Sequence, residues 1–236
     1  MRALRMITIA GVALGAVAPV VSSQTCLGLP SFASGVVQLS GRLLTGNDRT
    51  SVGGGLAAGV GNGVFGGVVG GVLTYDDELK SSTGLDGNTS TIAGILGFER
   101  PLGFGTPGRR AKVCPVAGGL MGFGPENPAT GEDAELLEGF AGFSVGARFG
   151  GSRPAFDLVP TVLGAAIYQK FDPQGDENAG GLEPDDTETG GLFEIGLGLV
   201  FNGRFGILPL VSIPIGFDNT DPTFGLRVAI NFGPGR

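Results

Sequence analysis

Between residues 223 and 233 two kinds of side chain alternate without a break. Phe224, Leu226, Val228, Ile230 and Phe232 share one parity, and Gly225, Arg227, Ala229 and Asn231 share the other. Successive side chains of a strand point to opposite faces, so this segment reads as a strand with one greasy face and one small or polar face. Residues 190 to 202 repeat the rule, with Phe193, Ile195, Leu197, Leu199 and Phe201 against Glu194, Gly196, Gly198 and Val200. No stretch of comparable length keeps a helical apolar period with caps, so the chain is expected to be nearly all β.

Ten segments qualify as strands: 34 to 44, 51 to 61, 63 to 75, 89 to 100, 110 to 123, 136 to 150, 155 to 171, 190 to 202, 204 to 216 and 223 to 233. Many are about twice the ordinary strand of roughly 5 to 6 residues, a length suited to crossing a bilayer at a tilt. Contrast weakens in 110 to 123, where Val113, Pro115, Ala117 and Met121 oppose Lys112, Cys114, Val116 and Leu120. Weak alternation per segment is ordinary for membrane barrels.

The connections alternate as well. Gly-Asn-Gly at 61 to 63, Gly-Gly-Ser-Arg-Pro at 150 to 154 and Asn-Gly-Arg at 202 to 204 are tight, whereas 76 to 88, 124 to 135 and 172 to 189 are long; the connection at 101 to 109 breaks the pattern. Short turns at one end and long loops at the other are the asymmetry of an outer-membrane barrel. Of 22 acidic residues, 18 fall in the loops expected at the long end, and Arg100, Arg109, Arg110, Lys112, Arg153 and Arg204 lie in or beside the expected short turns. Gly61 to Gly66 matches a dinucleotide fingerprint in letters only; joining two strands, it reads as an Asn-Gly hairpin.

Aromatic residues recur near both ends of strands in matching parity: Phe65 and Tyr75, Phe193 and Phe201, Phe205 and Phe217, Phe224 and Phe232. An eight-residue separation on a tilted strand covers about 20 Å, close to the ~25 Å apolar band between interfacial girdles.

Residues 1 to 23 have the outline of a cleaved secretory signal, with Arg2 and Arg5 ahead of an apolar run too short to span a bilayer. The remaining domain is then 24 to 236, with 13 basic against 22 acidic side chains and a net charge of −9, which disfavours nucleic acid as a partner. Glycine supplies 47 of 236 residues without a Gly-X-Y period, and the 42% apolar content argues against disorder. Export into an oxidising compartment would let Cys26 and Cys114 pair, at the short-turn end if the strand from 110 starts there.

A chain of such strands must cover its apolar face with a second layer or with lipid, and in lipid only closure satisfies every backbone group. With export, paired aromatics and loop asymmetry together, residues 34 to 233 resemble the small outer-membrane β-barrel proteins of Gram-negative bacteria, the broad group that includes OmpA-like and OmpX-like barrels. The strand ending in Phe232 looks like their C-terminal aromatic signal, although Gly-Pro-Gly-Arg follows it here. The resemblance implies a closed antiparallel up-and-down barrel of about ten strands, with eight as the alternative. It also implies residence in the cell outer membrane, contact with lipid and lipopolysaccharide, and handling by the barrel assembly machinery; a monomer is expected.

Functional chemistry is sparse. The chain has no histidine, which removes the usual base of barrel hydrolases and acyltransferases, so neither an enzyme nor a metal or other cofactor is expected. The acidic stretch 172 to 190 lacks EF-hand spacing and reads as a solvated loop, with calcium as the alternative. Glu138, Arg148, Lys170, Glu194 and Arg227 take the inward parity in this register and are expected to form a charge network in the lumen. A structural or surface-interaction barrel is the leading expectation. A narrow passive pore and a soluble secreted glycine-rich sandwich remain as alternatives.

Overall fold

The structure, a computed structural model, describes residues 25–30, 35–47, 49–76, 87–102, 111–127, 131–149, 156–172, 186–217 and 221–233. A single 3-10 turn, Thr25–Leu27, precedes the strands. These are β1 (Val37–Thr45), β2 (Arg49–Gly61), β3 (Val64–Tyr75), β4 (Asn88–Phe98), β5 (Arg100–Pro101), β6 (Ala111–Asn127), β7 (Glu132–Ala147), β8 (Phe156–Asp172), β9 (Asp186–Phe201), β10 (Phe205–Ile215) and β11 (Thr223–Phe232). All ten segments expected from alternation are present. The two-residue β5 prolongs β4 along β6 in one register, with Gly97 opposite Val116 and Arg100 opposite Val113.

Apart from β4 and β5, which do not pair with each other, consecutive strands pair antiparallel, β1 pairs with β11, and the β4–β6 contact completes the ring. The result is a closed ten-strand up-and-down barrel with the extra strand β5. Tight hairpins set the register at one end: Asn62 and Gly63 between β2 and β3, and Asn202 and Gly203 between β9 and β10, all have positive φ. Such backbone twist matches that of the flanking strands, which is why Asn-Gly is favoured there.

Burial follows strand parity. In β11 Thr223, Arg227 and Ala229 are buried while Phe224, Leu226, Val228, Ile230 and Phe232 are exposed. Outward positions of other strands are likewise large and apolar, among them Leu39, Val52, Leu56, Val68, Ile92, Leu96, Phe143, Val162, Ile195 and Leu197. So continuous an apolar exterior is stable only against an apolar medium.

Two expectations need correction. Phe65 and Tyr75 are buried on the inner face and belong to no girdle, and Phe217 turns inward over Gly190. Phe224 and Phe232 do flank an exposed strand. At the short-turn end Phe232 is joined by exposed Phe98, Phe149 and Phe156, and by Phe201, whose ring lies 6.2 Å from that of Phe156 and 5.9 Å from that of Phe205. The second correction concerns loops: parts of 124 to 135 and 172 to 189 are strand. β6 to β9 run 16 to 17 residues, against 9 to 13 for β1, β2, β3, β4, β10 and β11. Four adjacent strands therefore rise above the rest of the wall at the long-loop end. Glu126 and Asp133, expected in a loop, stand opposite each other in the β6–β7 ladder.

Arginine at Leu226, in the middle of β11, should destabilise the barrel in lipid vesicles by about 2–4 kcal/mol, and at the strand-end Phe232 by about 0–1 kcal/mol. Urea titrations in vesicles measure both; equal costs at the two sites would contradict a lipid-facing exterior.

Candidate functional site: the filled lumen and the projecting wall

At the short-turn end the lumen is occupied by the chain itself. Cys26 and Cys114 form a disulfide that ties the segment Thr25–Pro30 to the inner face of β6. Ser144 of β7 donates a hydrogen bond to the Cys26 carbonyl. Cys26, Leu27 and Leu29 are buried. Gly28 rests against Leu208 and Thr161. The wall is shaped to admit it: a β-carbon on Gly198 would strike the Gly28 backbone, and one on Gly206 would meet Pro30 and Leu29. Glycine is used here for close backbone approach, one of the roles a strand glycine can serve.

The middle of the lumen is charged. Arg227 donates from Nη2 to both carboxylate oxygens of Glu194, at 2.8 and 3.0 Å, and each side chain is at most 6% exposed. Arg42, opposite Arg227 across the β1–β11 ladder, lies within the electrostatic reach of Arg227, Glu194 and Glu138. Glu138 is 2% exposed, and neither of its oxygens has a hydrogen-bond partner among the described residues; the side-chain amide of Gln169, beside it in the β7–β8 ladder, is in the same position. The guanidinium of Arg42 has room because a β-carbon on Gly53 would sit 3.1 Å from its Nε. Gln38 donates to Asn231 at 2.7 Å on the short-turn side of this layer.

Toward the long-loop end the Tyr75 and Thr89 hydroxyls are 2.7 Å apart, and Thr89 donates to the Gly124 carbonyl at 2.8 Å. Leu73, Leu120, Leu136 and Phe140 fill the space below them. The interior of the barrel thus mixes apolar and polar side chains.

Of the five residues expected in a lumen network, Glu194 and Arg227 form an ion pair, and Glu138 is buried on the inner face of β7. Arg148 shares the inward parity of β7 but lies past its end, where it is half exposed and pairs with Asp157 at 2.6 Å. Lys170 is a correction: it stands opposite exposed Leu137 and takes the outward parity of β8, the inward positions being Ile167 and Gln169. The expected register was wrong there by one residue, and one residue reverses the face. Arg42 was missed, although Gln38, Ser40 and Arg42 alternate with Val37, Leu39 and Leu43 as clearly as β11 does. Lys112 pairs with Glu99 at the short-turn rim.

Among the described residues no group of three His, Cys, Asp or Glu side chains could hold a metal ion. Residues 173–185, most of the stretch weighed for calcium, lie outside the described residues, as do Arg109, Arg110, Arg153 and the signal segment.

No family model and no curated protein matches this chain. Among solved structures it is similar to the N-terminal β-barrel domain of OprF from Pseudomonas aeruginosa, at 16% identity over 84% of this chain and 98% of that one, with a TM-score of 0.34. It is also similar to the translocator domain of the autotransporter NalP from Neisseria meningitidis, at 14% identity over 90% and 93% with a TM-score of 0.43. A third is LpxR from Salmonella typhimurium, at 13% identity over 78% and 73% with a TM-score of 0.40.

Truncating one partner of a buried ion pair leaves the other charge uncompensated, at about 3–5 kcal/mol. Arg227→Met and Glu194→Met should each lower stability by that order in a urea titration. The double variant Arg227→Met/Glu194→Met removes both charges of the pair together and should recover most of the loss. If the double variant were as unstable as the sum of the singles, the pair would not be the unit that matters.

Proposed function

We propose that this chain is an outer-membrane β-barrel with a structural or surface-interaction role, whose lumen is a packed support rather than a conduit or a catalytic chamber. The observation that carries this reading is the segment Thr25–Pro30, wedged into the short-turn mouth and bonded through Cys26 to Cys114. A solute would have to displace a covalently held segment and then pass the Arg42, Arg227, Glu138 and Glu194 layer. The apolar exterior supports residence in lipid, and the cleaved signal and assembly by the outer-membrane barrel machinery belong to the same proposal.

The working surface in this reading is the wall of β6 to β9 that rises above its neighbours, where a barrel in the outer membrane would meet lipopolysaccharide and the medium. Exposed Glu126, Asp133 and Glu135 mark that rim, so direct contact favours cationic partners or carboxylates bridged by divalent ions. Catalysis is not part of the proposal: the chain lacks histidine, and Glu194 is committed to Arg227. The protein is proposed to act as a monomer without a cofactor.

A second reading, the narrow pore, draws support from one observation. Glu138, Gln169, Arg42 and Ser212 present buried polar atoms without a hydrogen-bond partner among the described residues, groups that water could solvate. Conductance across a planar bilayer separates the two readings. The purified barrel should give no ion steps, and regular steps from the wild-type chain would transfer the proposal to the pore.

A further inference from the structure

The two cysteine side chains are among the most enclosed of the described residues. Cys26 and Cys114 are both 0% exposed. Cys114 points into the lumen from β6, opposite Ser144 of β7 in the ladder, and that serine holds the Cys26 carbonyl. Leu27 and Leu29 close the segment side, while Thr161 of β8, Gly198 of β9 and Leu208 of β10 abut Gly28. Four strands that follow Cys114 in the chain, β7 to β10, thus pack around the tethered segment.

Thiol–disulfide exchange requires a thiolate to meet the sulfur it attacks, so its rate depends on access as well as on thiolate fraction. The closed barrel offers no such access to either cysteine. We propose that the Cys26–Cys114 bond is made before the barrel closes, by exchange between the still open chain and a disulfide donor, and that β7 to β10 then wrap a segment that is already tethered. The reaction that must precede closure is a dithiol oxidation. One chain thiolate attacks the donor disulfide, forming a mixed disulfide and releasing one donor thiolate. The second chain thiolate attacks the chain sulfur of that mixed disulfide and releases the other. Two chain thiols are oxidised, the donor disulfide is reduced to a dithiol, and two protons pass to it or to water.

Topology makes the order consequential. The bond spans 88 residues, and the loop it closes contains β1 to β5 in full. An open chain with this loop fixed brings the plug to β6 while β7 to β11 are still free. A barrel that closed first would have to admit a segment with two buried leucines through a mouth bounded by its own short turns, and then oxidise thiols that no donor reaches.

The proposal rests on the closed barrel and goes beyond the functional reading above. The experiment uses the full chain unfolded in urea and folded into detergent micelles, with glutathione disulfide as donor, added either before folding or after it. Bond formation is read by mass after blocking free thiols, and closure by the gel shift between boiled and unboiled samples. The chain oxidised in urea should reach the unboiled, fast-migrating form with the bond intact. The chain folded under reduction should either fail to reach that form or reach it with loss of subsequent oxidation, both thiols staying free over a period in which the unfolded chain oxidises fully. If the reduced, closed barrel acquires the bond as readily as the unfolded chain, the order is overturned. A pulse–chase of the chain exported in a Gram-negative host gives the same decision without refolding. Molecules of native mobility should be oxidised from the first time point, and a reduced native pool that oxidises later would overturn the proposal. Absence of a heat-shifted form even from the oxidised chain would count against the barrel itself, a failure distinct from failure of the order.

Discussion

The contact between β4 and β6 turns ten strands into a ring, and what the molecule can be depends on it. An open sheet of these strands would expose two rows of unpaired backbone groups and could bury only one face. Closure removes both edges, leaves every outward side chain free to be apolar, and defines an interior that must fill itself. Leu96 opposite Ala117 and Ile92 opposite Met121 lie in one unbroken register from Ser90 to Gly97 of β4. Glu99 then bonds back to the Gly63 carbonyl of the β2–β3 turn, and β5 carries the same register to the rim.

Once the ring is closed, the interior is a problem of volume and charge. Aromatic side chains such as Phe65 and Phe140 lie where Gly97 and Gly118 leave no β-carbon in their way, and the short-turn mouth takes the chain's own N-terminal segment between Gly198 and Gly206. Much of the glycine in this sequence thus serves the lumen rather than the turns. The charges obey a different rule. Taking a guanidinium or a carboxylate out of water is costly unless an opposite charge is at hand, and Arg227 and Glu194 meet that cost as a buried ion pair. The wall strands also differ in length, β6 to β9 running 16 to 17 residues.

Much of this architecture was legible in the residues because alternation is a local property. The ten strands, the Asn-Gly hairpins and the outward face of β9 and β11 follow from letters within each segment. Where the reading slipped, the cause was also local. At Lys170 the pattern Ile167, Tyr168, Gln169, Lys170 offers a polar residue at both parities, and only the pairing of Leu137 with Lys170 fixes which face is inward. At Phe65 and Tyr75 the aromatic spacing fitted an interfacial pair as well as a lumen pair, and burial against Gly97 decides for the lumen.

The sequence by itself determined that this chain is all β and which residues of most strands share a face, because a period of two needs no knowledge of the neighbour. Only the tertiary structure decided that Arg42 joins Arg227 and Glu194, that Glu138 stands beside Gln169, and that the segment behind Cys26 fills the mouth. Those pairings link the first strand to the last and the N-terminal turn to β6, β8, β9 and β10. They depend on ladder register and on ring closure, quantities set by the whole barrel and written in no single segment of it.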